Sequence, residues 1–267
     1  MSGQFERVRS DGLEIAAETF GSGKPFIFAH GLTGARFGTR RQFASFADQY
    51  RVIIFDQRGH GDSTPVTDPN QYNAEKMADD MRAVLDHYGI ARAIVGGESM
   101  GSATALLFAL KYPARVEKLL LTAPAFSDGT NPGSQGMRDN GNAIEKLGME
   151  KFLEIAAERQ RTMLGWSPQV VATVAEFFRA HDPVSIAVAL KTVSNWIILS
   201  DLTPLANVTC PVCIVAWSGD QIHPLDVAEQ VAAAFPNATL QMIPTLPEIF
   251  VHPETVGNIY RKFLETH

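Results

Sequence analysis

The chain lacks most of what would mark a secreted, membrane-spanning or nucleic-acid-binding protein. It carries two cysteines in 267 residues, too few for a disulfide framework. No stretch approaches about 18 consecutive apolar residues, so no transmembrane helix is expected. The opening segment, MSGQFERVRSDG, has no apolar core of the kind a secretory signal needs. There is no dense Lys/Arg patch, and the formal net charge is −6, which disfavours nucleic acid and anionic membranes as partners. Neither a dinucleotide-type glycine fingerprint nor a cluster of metal-ligating residues is visible, so no cofactor and no metal are expected. Cys210 and Cys213 form a C-x-x-C pair, but they lie in a strand-like apolar run with no second ligand pair, which reads as core packing. These absences leave a cytoplasmic protein whose partner is a small-molecule substrate, with a homodimer also compatible.

Hydrophobic residues make up 45% of the chain and charged residues 19%, an ordinary globular balance. The length suits one large α/β domain with an insertion. Buried-strand runs occur at 25–30, 51–57, 91–98 and 117–124, with helical patterns between them at about 39–47, 73–88 and 100–112. Continuous apolar runs alternating with amphipathic helices predict a parallel sheet covered on both faces. The first 20 residues alternate like an antiparallel pair at the sheet edge. Segment 127–142 is rich in Gly, Asn, Ser and Asp and reads as a loop or hinge. From about 143 to 205 the periodicity is helical only. Strand-like sequence returns at 211–220 and 238–244, with helices at 225–235 and 253–265. The reading is therefore a core formed by 1–126 and 206–267, with a helical cap or lid at 127–205.

The strongest chemical signal is Gly97-Glu98-Ser99-Met100-Gly101, placed between a predicted strand and a predicted helix. G-x-S-x-G in that context is a nucleophile elbow: a sharp turn, passable only with small neighbours, that lifts the serine hydroxyl above the sheet. Ser99 is the candidate nucleophile. A second signal is His30-Gly31-Leu32 at the end of a strand. A tight turn there would aim the Leu32 N–H beside that of Met100, making a pair of oxyanion donors. His30 reads as a residue that shapes this turn.

The motifs Ala29-His30-Gly31, Asp56-Gln57-Arg58-Gly59-His60-Gly61-Asp62-Ser63 and Gly97 to Gly101 stand in the order and spacing of the α/β-hydrolase family. The chain resembles its small, lidded members, which include esterases, enol-lactone hydrolases, C–C bond hydrolases and non-haem haloperoxidases. The resemblance implies an eight-stranded, mostly parallel sheet and a Ser–acid–His triad in that chain order. It implies structural roles for His60 and Asp62. It places the acid at Asp220, in Val215 to Asp220, where a carboxylate at a strand end can orient an imidazole.

The chain departs from the family at the histidine. Members usually read I-P-x-x-G-H, then P-E and the last helix. Here the segment is Ile243-Pro244-Thr245-Leu246-Pro247-Glu248-Ile249-Phe250-Val251-His252-Pro253-Glu254. Counting back from Pro253 puts Leu246 at the histidine's place, and counting forward from Ile243 puts Glu248 there. His252, just before the final helix, is the first candidate base. His223, three residues after Asp220, is the alternative base. A site with no histidine base is the third possibility. Glu248 is mismatched to a serine, because an exposed carboxyl titrates near 4.3. Glu98, beside the nucleophile, is expected to point elsewhere.

Two classes of function follow. One is a serine hydrolase of small carboxylic esters, lactones or similar acyl compounds. The other is a ligand-binding protein that keeps the fold with a degenerate site, with a non-hydrolytic relative as a further variant. Met163, Trp166, Phe177, Phe178 and Trp196 are the bulky apolar residues of the cap, read chiefly as core. Few charges are expected near the site, so the substrate is expected to be neutral or aromatic.

Overall fold

Each central strand is apolar on both faces, and the structure shows what each face meets. A computed structural model describes residues 3–124 and 133–267. Its strands are β1 (Gln4–Ser10), β2 (Leu13–Phe20), β3 (Lys24–Ala29), β4 (Tyr50–Phe55), β5 (Ala93–Glu98), β6 (Val116–Thr122), β7 (Val212–Ala216) and β8 (Ala238–Met242). They form one eight-stranded sheet in the order β1-β2-β4-β3-β5-β6-β7-β8. β1 pairs antiparallel with β2, and β2 antiparallel with β4; the remaining pairs are parallel.

Side chains alternate across the sheet, so one run feeds two cores. Phe26, Phe28, Val52, Ile54, Leu120, Cys213 and Val215 face one side, packed with Phe43, Phe46, Val256 and Tyr260. Those partners come from α1 (Arg36–Phe43), the turn that follows it, and the last helix α10 (Glu254–Thr266). Ile27, Ile53, Val95, Leu119, Leu121 and Ile214 face the other side. They meet α2 (Ala74–His87), α3 (Met100–Lys111) and α8 (Leu225–Ala234). α2 starts where the Asn73 side chain accepts hydrogen bonds from the N–H groups of Glu75 and Lys76, two donors the helix itself cannot satisfy.

Between β6 and β7 the chain forms α4 (Ser134–Leu147), α5 (Met149–Met163), α6 (Pro168–Arg179) and α7 (Pro183–Val193). Their apolar faces form a third core with Leu32, Val66, Tyr72, Met77 and Met100. This insertion therefore sits over the loops at the carboxyl ends of the strands. Segment 127–142 needs correction as a loop: 127–132 lie outside the described residues, but α4 begins at Ser134. Its glycine and asparagine content misleads because packing overrides propensity here. A Cβ on Gly141 would stand 2.8 Å from the Ala187 carbonyl oxygen, so glycine is what lets α4 lie close against α7.

The two cysteines are free, Cys213 buried and Cys210 partly so. Burial pushes the Cys213 thiol up to about 12, which removes it from redox chemistry near neutral pH. No helix among the described residues is long and apolar enough to cross a membrane.

Candidate functional site

Three strand ends build the site. β5 delivers Ser99, β3 delivers Gly31 and Leu32, and β7 delivers Asp220 and His223. Ser99 has φ 52° and ψ −113°, a conformation that a residue with a Cβ holds only under strain of about 1–3 kcal/mol. The turn closes because its flanking glycines touch backbone: a Cβ on Gly97 would stand 1.9 Å from the Gly101 carbonyl oxygen, and one on Gly101 would stand 2.1 Å from that of Ala29. Replacing Ser99 by glycine should give a protein about 1 kcal/mol more stable than Ser99→Ala, since both lack the hydroxyl and only glycine relieves the φ. Urea unfolding of the two variants checks this; equal midpoints would mean the elbow stores no strain at this residue.

The histidine that meets Ser99 is His223. Its Nε2 lies 2.8 Å from Ser99 Oγ, and its Nδ1 lies 2.7 Å from Asp220 Oδ2. Acid and base are three residues apart on one loop. Asp220 is held by the Ile222 N–H at 2.8 Å and by the Trp217 indole N–H at 3.0 Å. The Trp217 and His223 rings meet edge to face, with centroids 5.6 Å apart. Burial disfavours the charged Asp220 carboxylate, but the hydrogen bond and charge of His223, with the Ile222 and Trp217 donors, outweigh it and hold the group down at about 2. An ionised Asp220 fixes the His223 tautomer: Nδ1 carries the proton and donates to the carboxylate, leaving Nε2 as the acceptor of a hydrogen bond from the Ser99 hydroxyl.

The structure does not bring His252 to Ser99. The segment expected to carry the histidine forms a helical turn, α9 (Glu248–Val251), and His252 ends it. Its side chain is 55% exposed and faces Glu254 at 3.7 Å. Leu246 packs, partly buried, on the core beneath α10, as does Ile249. The stretch from 243 to 252 is thus an apolar seal rather than a loop that reaches inward.

The N–H groups of Leu32 and Met100 find no acceptor among the described residues. Met100 opens α3, so its N–H has no partner within the helix. Both residues are buried and share the core of the insertion. His30 shapes the turn from below: its Nδ1 donates to the Gly31 carbonyl at 2.7 Å, and its Nε2 accepts from the Gln57 N–H at 3.0 Å. His60 is buried with Nε2 2.7 Å from the Leu32 carbonyl. Asp62 pairs with Arg36 at 2.6 Å. None of these three touches Ser99.

Glu98 Oε1 and the Ser99 Cβ each lie 3.5 Å from where a Gly31 Cβ would be, so the Glu98 carboxyl and Ser99 both stand against Gly31. Among the bulky residues of the insertion, Phe178 is core and Met163 is 73% exposed. Phe177 stacks on Phe37 at 4.9 Å, and Phe177 and Trp166 each approach Phe250 at 6.3 Å. Trp196 donates from its indole to the Tyr72 carbonyl at 3.1 Å. Phe177, Trp166 and Trp196 thus fasten the insertion to the core. No group of three or more metal-ligating side chains occurs among the described residues.

Comparison with known proteins agrees with this architecture. The chain is 25% identical over 221 residues to 3-oxoadipate enol-lactonase 2 of Acinetobacter baylyi, across 81% of this chain and 79% of that protein. It is 26% identical over 226 residues to the magnesium-chelatase 30 kDa subunit of Rhodobacter capsulatus, across 83% and 79%. A thermophilic esterase from Thermogutta terrifontis superposes with a TM-score of 0.81 at 26% identity, covering 98% of each chain. The alpha/beta hydrolase fold profile matches residues 24–251, and on that match, with this sheet and this elbow, the chain belongs to the α/β-hydrolase fold family.

Proposed function

We propose that the protein is a serine hydrolase of small carboxylic esters or lactones, with Ser99 as nucleophile, His223 as general base and Asp220 as the acid. One observation carries the reading: a single imidazole bridges Ser99 Oγ at 2.8 Å and the Asp220 carboxylate at 2.7 Å. That is the nucleophile–base–orienter arrangement nucleophilic catalysis requires. Ser99 gives its proton to His223 Nε2 as Oγ attacks the acyl carbon. The carbonyl oxygen becomes an oxyanion held by the N–H groups of Leu32 and Met100. The imidazolium, steadied by Asp220, then protonates the leaving alkoxide, and an acyl-serine remains. Water enters, His223 takes its proton, and the same steps in reverse release the acid.

The enol-lactonase and esterase among the relatives support this chemistry, and the elbow supplies its nucleophile. Steady-state kinetics over a panel of short-chain esters and lactones tests the reading, with Ser99→Ala as the reference. Saturable turnover in the wild type and none in the variant is expected; equal rates in the two would overturn it.

A further inference from the structure

Among the described residues, Glu98 is the one acidic side chain at the site that the proposed mechanism leaves unused. It ends β5, and the pleat sends its side chain to the side of the sheet where Tyr260 and Trp217 lie. Its Oε1 approaches Gly31 at the position already given, and His223 and Tyr260 are the charged or titratable groups within electrostatic reach. Tyr260 is engaged elsewhere, through its hydroxyl with Thr122 Oγ1 at 2.7 Å. His223 is committed to Ser99 and Asp220. Among the described residues no side chain or N–H donates to the Glu98 carboxyl, and no lysine or arginine pairs with it.

A half-buried carboxyl without a partner is costly to ionise, and that burial raises its pKa despite the opposing pull of His223. Glu98 and Ser99 are both partly exposed, and both stand against Gly31. Asp220 is already ionised at the site, and a second carboxylate would oppose the oxyanion that develops on Leu32 and Met100. A positive charge on the substrate would answer both problems. It would partner Glu98 and cancel its field at the reacting carbonyl.

We propose that Glu98 is a specificity residue that recognises a cationic group on the substrate, so that esters bearing an ammonium are preferred over uncharged isosteres. The proposal rests on the hydrolase reading above and deepens it. An uncharged substrate, suggested by composition alone, becomes the poorer one, because composition does not show that a carboxyl lies against Gly31.

The test compares two nitrophenyl esters of equal shape. One derives from a trimethylammonio-butanoic acid; in the other, carbon replaces the ammonium nitrogen. Wild-type kcat/KM should favour the cationic ester by about tenfold, and in Glu98→Gln the ratio should fall to about one. A wild-type ratio near one, or a preference that survives in Glu98→Gln, overturns the proposal. The two corresponding amides, titrated calorimetrically into wild type and Glu98→Gln, read recognition without turnover. If neither ester is hydrolysed and Ser99 does not react with a fluorophosphonate, the hydrolase reading has failed. Tighter binding of the cationic amide to wild type alone would then still support recognition by Glu98, and equal binding would overturn it.

Discussion

Replacing His223 by alanine is expected to lower kcat for ester hydrolysis by about 10⁴ to 10⁶, while His252→Ala changes it by less than about twofold. The first figure follows from the chemistry of the pair. A serine hydroxyl with no base must give its proton to water, and in a well-studied serine hydrolase loss of the histidine costs about 10⁶ in kcat. The Leu32 and Met100 N–H groups, the proposed oxyanion donors, remain in the variant, so activity should settle at about 10³ to 10⁴ above water. Asp220→Asn should fall in between, since the asparagine keeps the shape of the loop but no longer favours the tautomer with a proton on Nδ1. The second figure follows from place. His252 is half in solvent at the end of α9, with its side chain turned to Glu254. Steady-state kinetics on one ester decides between them. A large loss in His252→Ala with little change in His223→Ala would mean that the segment from 243 to 252 turns inward in the working enzyme.

The fold should lose roughly 4 to 5 kcal/mol between pH 6.5 and pH 3 through His181 alone. This residue lies between α6 and α7 and ties the insertion to the core. Its Nδ1 accepts from the Gly61 N–H at 3.1 Å, and its Nε2 donates to the Thr33 carbonyl at 3.1 Å. Burial holds its pKa down at about 3; the neighbouring His60 acts in the same direction, and the Thr33 carbonyl opposes. The folded-state value lies below the unfolded one. Between about 6.5 and 3 the unfolded chain therefore binds a proton that the native state refuses, and stability falls as pH falls through that window. Asp220 acts in a lower window, between about 4 and 2, where its depressed carboxyl is finally protonated, so it adds nothing above about pH 4. His181→Gln keeps an acceptor and a donor but cannot titrate. Urea unfolding at pH 7, 6, 5 and 4 should show wild type losing about 1.4 kcal/mol per pH unit more than the variant below pH 6. Parallel slopes would show that the native state binds a proton at His181 as readily as the unfolded chain does.

Much of this was legible from residue pattern. Strands such as PFIFA and YRVIIF are apolar on both faces, and that alone requires a sheet covered on both sides. Gly97 and Gly101 flank a serine between strand and helix, and backbone contacts at both explain why nothing larger fits. What the pattern concealed was decided by contacts distant in sequence. Gly141 reads as a loop residue until α7 is laid against it. His252 reads as the candidate base because it is the histidine nearest the usual place, yet Leu246 and Ile249 prefer the core beneath α10 and leave it outside. His223 carried a usable signal. In Asp220-Gln221-Ile222-His223 the carboxylate accepts the N–H groups two and three residues on, and such a turn brings the side chains at its ends together. The following Pro224 disfavours helical backbone at His223 and keeps it in the loop. Trp217 and Glu98 gave no such signal, because their roles depend on what lies above the sheet.

Activation of Ser99 by His223 is the step on which the proposed hydrolysis turns. It is tested most directly by treating wild type, His223→Ala and His252→Ala with a fluorophosphonate and locating the adduct by peptide mass spectrometry. Rapid labelling at Ser99 is expected in wild type and in His252→Ala, with labelling slowed by at least about a hundredfold in His223→Ala. Equal labelling of His223→Ala and wild type, or a wild type that stays unlabelled beside a reactive control hydrolase, would contradict it.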